Sequence, residues 1–113
     1  DLPALARAAH RAGLPEVHAR LLERHLDLYA LVRGHLALPT PGRGLGEVAG
    51  WCGHRAPVLA ITNGIEAQLA YLRSRGARGP ERDTARADLA DYNRDDLAAL
   101  QRVLMRVWEL ADT

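Results

Sequence analysis

The sequence predicts a mostly helical fold with one or two short strands, on three observations. Apolar residues recur at helical spacing over residues 84–111, at Leu89, Tyr92, Leu100, Val103, Leu104, Val107 and Trp108. Helix start and stop signals punctuate the rest of the chain. Only Leu26-Asp27-Leu28-Tyr29 alternates as a strand would. At 113 residues the chain suits a single domain with one core.

The elements follow in order. Asp1 can cap a first helix, Pro3 suits its first turn, and Gly13 with Pro15 ends it. Residues 16–24 read as a short helix or loop. The alternating stretch at 26–29 reads as a short strand feeding a helix over 29–36. Pro39, Pro41 and the glycines at 42 and 44 break the chain. A helix follows with Leu45, Val48, Ala49 and Cys52 on one side. Asn63 caps the next, which carries Ile65, Leu69 and Leu72 and ends near Gly76. Residues 75–86 are polar and glycine-bearing, and read as an exposed, mobile loop before the last helix.

Charge is nearly balanced at +1, so net charge alone names no polyanionic partner. All 15 basic residues are arginine, whose planar fork suits phosphate oxygens. A single cysteine, Cys52, excludes an intrachain disulfide. No apolar run approaches the roughly 20 residues of a membrane span, and no signal peptide is visible. These features read as cytoplasmic. The first residue is Asp rather than Met, so the true N-terminus is expected elsewhere.

The chemistry-bearing residue that stands out is Asp96. On a helix, Leu89, Tyr92, Leu100, Val103 and Val107 fall within about 40° of it, while Arg94, Asp95, Ala98, Gln101 and Arg102 point away. A carboxylate in an apolar stripe must find a cation or hydrogen bonds, or lose its charge. The structural alternative is an arginine partner from a neighbouring element. Asp1 and Asp27 are two further carboxylates to weigh, each with a capping role as its alternative. Histidines 10, 18, 25, 35 and 54 lack zinc spacing, and Cys52-Gly53-His54 has no partner pair. The glycines at 42, 44 and 46 lack the lysine of a phosphate loop and read as a turn. Trp51 and Trp108 read as core or partner-facing residues.

Tyr92-Asn93-Arg94-Asp95-Asp96-Leu97 resembles the Tyr-x-x-x-Asp motif of DEDDy-type 3′–5′ exonucleases of the ribonuclease-H-like (DnaQ-like) superfamily, in particular the YprB-type predicted exonuclease branch. His25-Leu26-Asp27-Leu28-Tyr29-Ala30-Leu31-Val32-Arg33 and Leu45-Gly46-Glu47-Val48-Ala49-Gly50-Trp51-Cys52-Gly53 resemble two further segments of that branch. Gly64-Ile65-Glu66-Ala67 with Tyr71 resembles the helix before its last motif, and Asp1-Leu2-Pro3-Ala4-Leu5 the end of its second. The Asp-x-Glu motif and the opening strands have no counterpart.

The resemblance implies the C-terminal portion of an α/β ribonuclease-H-like nuclease domain. It also implies a magnesium- or manganese-dependent exonuclease acting on DNA or RNA by two-metal chemistry, in a bacterial DNA-repair setting. In that reading Asp96 and Asp1 bind metal, Tyr92 orients the attacking water, and Arg94 or Arg33 holds the backbone. Partners would be nucleic acid and the missing N-terminal half, or a helicase or nuclease partner, with no membrane. The alternative is a non-catalytic helical module for binding a partner or nucleic acid.

Overall fold

The computed structural model describes residues 2–37 and 44–112. The chain divides into two compact units, residues 1–36 and 37–113. Among the described residues there are six helices and no strand. The α/β expectation is overturned, and so is the short strand at 26–29.

The first unit holds α1 (Leu2–Arg11), α2 (Pro15–Arg24) and α3 (Leu28–His35). Helix α1 ends in a Schellman turn: the Leu14 amide donates to Ala9 O (2.9 Å) and the Gly13 amide to His10 O (3.1 Å). That turn folds α2 back onto α1, where Ala6 and Ala9 are buried. Asp27 shows why no strand forms. Its carboxylate accepts the Ala30 amide at 3.1 Å and caps α3, so the alternating stretch is spent on starting a helix.

The second unit holds α4 (Leu45–Trp51), α5 (Gly64–Gly76) and α6 (Pro80–Ala111). Both α4 and α5 pack on α6, which at 32 residues is about 48 Å long. Asn63 caps α5 as its sequence implies, accepting the Glu66 amide at 2.9 Å. Glu66 Oε2 in turn accepts the Thr62 amide (2.7 Å) and hydroxyl (3.0 Å), closing the start of the helix from both sides.

The packed face of α5 differs from the expected one. Ala70 and Ser74 are buried, whereas Ile65, Leu69 and Leu72 are exposed. The buried positions of α6 are likewise small: Ala85, Ala99 and Val103. Small side chains let helix backbones approach closely, and here that closeness takes precedence over burying leucine.

Residues 75–86 are not a loop. They comprise the end of α5, a turn at residues 77–79, and the first two turns of α6. Gly79 adopts φ 64°, ψ −141°, which a side chain would strain, and Pro80 follows in the first helical turn, where its missing N–H costs nothing.

Both tryptophans lie in the second unit, so their fluorescence reports its unfolding. In urea titrations followed this way, Asn63→Ala should lower stability by about 1 kcal/mol and Asn63→Asp should retain most of it, because only the side-chain acceptor matters to the cap.

Candidate functional site

The sites worth weighing in the second unit are built on α6. The first is the Tyr92/Asp96 pair. Both residues are half-buried and one turn apart on the inward side of the helix. Burial pushes the Asp96 carboxyl above its ordinary value, and the neighbouring Asp95 charge adds to this. Burial likewise raises the Tyr92 phenol, with the Asp96 charge the second cause. These two residues therefore sense each other electrostatically.

Asp95 corrects the sequence reading, for it does not point away. His54 Nε2 donates to its Oδ1 at 2.9 Å, with the two side chains only 16% and 20% exposed. The contact is positioned by the end of α4. There the His54 amide donates to Ala49 O (2.8 Å) and the Gly53 amide to Gly50 O (3.1 Å), a second Schellman turn with Gly53 at φ 92°. Residues 54 and 95 lie far apart in sequence, and no spacing rule finds such a pair.

Of the other expected site residues, Arg94 alone shares α6 with Tyr92 and Asp96. Asp1 lies outside the described residues. Arg33 belongs to the first unit and is exposed. Arg94 is exposed and paired with Asp91 at 3.1 Å. Among the described residues no three His, Cys, Asp or Glu side chains gather as a metal site. Asp95, the carboxylate next to Asp96, is bonded to His54.

The second site is a cleft of about 770 Å³ between the end of α5 and the first turns of α6. Arg75, Arg78, Arg82 and Arg86 line it, with Tyr71 and Asn93, and no carboxylate does. Arg82 Nε is buried without a hydrogen-bond acceptor; Asp83 Oδ1 lies 3.8 Å away, beyond hydrogen-bond reach. The other flank of the same helix pair carries the opposite charge. A cleft of about 660 Å³ there is lined by Glu66, Glu81 and Asp88, with Arg73 the single cation. On the helical wheel the two flanks of α6 lie roughly 135° apart.

Sequence reasoning missed the arginine cleft because it treated residues 75–86 as a loop. The signal was present: Pro80 behind Gly79 starts a helix, and Arg82 and Arg86 then fall one turn apart on one side.

Comparison of the chain with family models, curated proteins and solved structures finds no match in any of the three.

The folded state holds the Asp96 proton over a pH range in which the unfolded chain, with its value near 3.8, has lost it. Asp96 therefore weakens the fold as pH rises through that range and continues to do so at neutral pH. Asp96→Asn should raise the thermal midpoint at pH 7, with the gain shrinking as pH falls toward 4. It should also lower the Tyr92 phenol titration, read by ultraviolet absorbance against Tyr92→Phe. At the other contact, a double-mutant cycle of His54→Ala and Asp95→Ala should return a coupling of about 1 kcal/mol, as a part-buried bond to a charged group contributes.

Proposed function

We propose that this chain is a non-catalytic helical module that binds the sugar–phosphate backbone of nucleic acid in the arginine cleft. The observation that carries the reading is the sorting of charge on the second unit. Four guanidinium groups line the cleft on one flank, with Asp83 approaching Arg82 from outside the lining, while three carboxylates line the cleft on the other. A net charge of +1 does not reveal this, because it sums over the whole chain.

The chemistry of the cleft favours phosphate. A guanidinium presents several N–H groups in a plane and meets phosphate oxygens two at a time. Arg82 has no hydrogen-bond acceptor at its Nε and its side chain is 42% exposed, so its guanidinium is not held by a hydrogen-bonded carboxylate. Extent favours a chain of phosphates over a single anion. Lining residues run along α6 from Arg82 to Asn93, about 16 Å, farther than one small anion can reach.

Hydrolysis centred on Asp96 is the weaker reading, because two-metal chemistry asks for several converging ligands and no group of three gathers as a metal site among the described residues. Binding without cleavage needs only the cleft.

The test is fluorescence anisotropy with a short labelled oligonucleotide across a salt series. Affinity should fall as salt rises, with a log–log slope near −0.7 for each phosphate neutralised on a single strand. Arg82→Gln should weaken binding several-fold and flatten that slope by about 0.7. Arg94→Gln, outside the cleft and paired with Asp91, should change neither. Salt-independent binding, equal effects of the two variants, or equal competition by polyglutamate would each overturn the reading. Magnesium-dependent cleavage abolished by Asp96→Asn would return the exonuclease instead.

A further inference from the structure

We infer that the cleft selects single-stranded nucleic acid, with the Tyr71 ring as the surface on which one base stacks; this rests on the backbone-binding reading above. Tyr71 is the one aromatic residue among those lining the cleft, and it is 53% exposed. A large aromatic ring left half in water beside a row of arginines has no role in the core. The buried neighbour that faces inward from this part of α5 is Ser74, whose hydroxyl donates to Tyr71 O at 2.7 Å and anchors that stretch of helix.

The ring is prepared for a base. The Arg75 guanidinium lies 5.9 Å from its centre, one helical turn along α5. This cation lies over one face of the ring, which leaves stacking to the other face and keeps a phosphate-binding group within a short reach of a base there. Leu89 and Ala90 add apolar lining from α6, and Asn93 adds an amide that can meet a base edge. Arg75 lies a turn on along α5, Arg78 in the turn between the helices, and Arg82 and Arg86 on α6, which packs back along α5.

This combination, several arginines with an exposed aromatic ring among them, is what a single strand uses and a duplex cannot. In a duplex the faces of the bases are covered by their neighbours, and exposing one to Tyr71 requires unpairing and unstacking it. In a single strand every base already offers a face, so the contact tolerates any sequence. Phosphates on the arginines supply the salt-dependent part of the affinity, and the stacked base supplies a part that salt leaves alone.

Three labelled probes of equal length test the inference on the full chain: oligothymidylate, an abasic single strand of the same charge, and a duplex. Wild type should bind oligothymidylate roughly five-fold or more tighter than the abasic strand, the gain expected for one stacked base. Tyr71→Leu should bring oligothymidylate down to the abasic level while leaving the abasic and duplex affinities unchanged, and Tyr71→Trp should restore the preference. Tryptophan fluorescence in urea checks that both variants fold. Equal wild-type affinity for all three probes, a duplex bound most tightly, or an equal loss on every probe in Tyr71→Leu overturns the stacking inference while leaving the backbone reading in place. No binding by any probe overturns both.

Discussion

The second unit depends on the smallness of the residues buried along α6. Ala85, Ala99 and Val103 form its inner stripe, and α5 meets it with Ala70 and Ser74. From α4, Val48 is 5% exposed and Ala49 is fully buried. Side chains of this size bring helices together by backbone proximity and leave no interior space for long residues. Among the described residues no large side chain is fully buried, and leucines, arginines and carboxylates alike are displaced to the flanks of the helix pair. The clefts, with their sorted charges, are a product of that displacement.

A core made this way gains little per residue, since burial contributes about 0.8 kcal/mol per methylene and alanine brings only one carbon. Polar fastenings therefore carry a larger share of the specificity. The Asn63 cap and the Thr62–Glu66 bonds fix where α5 begins. The Gly53 turn and the His54–Asp95 bond fix α4 against α6 at one point along its length. Arg106 reinforces that end, lying 5.8 Å from the Trp51 ring centre and bonding Glu109 at 3.1 Å. The half-buried Asp96 works against these gains. It lies beside a carboxylate already engaged with a histidine, and its raised pKa measures the cost of keeping it charged there.

What could be read from the sequence was local. Asn63, Gly13 and Asp27 act through amides three or four residues away, so the starts and stops they signal appear in the structure. Asp27 also shows how such a reading fails. Alternating leucines around it imitate a strand, but its own carboxylate captures the Ala30 amide first. The face of α5 was misjudged because hydrophobic patterning weights Leu69 and Leu72 over Ala70 and Ser74, whereas close approach favours the small pair. Asp96 was legible as an anomaly, since its place in the stripe follows from helical spacing alone. The pairing of Asp95 with His54 was not, because only tertiary contact between α4 and α6 creates it. The arginine cleft was hidden by one boundary: with α6 starting at Pro80 rather than near Thr84, Arg82 moves from a loop onto a helix side.

On the proposed reading, the arginine-lined flank of the α5–α6 pair, and not the Asp96 face, receives a polyanion. Amide and arginine side-chain NMR spectra of nitrogen-15-labelled protein, titrated with oligothymidylate, test this directly. Shifts should be confined to the cleft residues between Tyr71 and Asn93, with the Arg82 signal among the largest. Shifts centred on Tyr92, Asp96 and the His54–Asp95 contact, with the Arg82 signal unmoved, would contradict it.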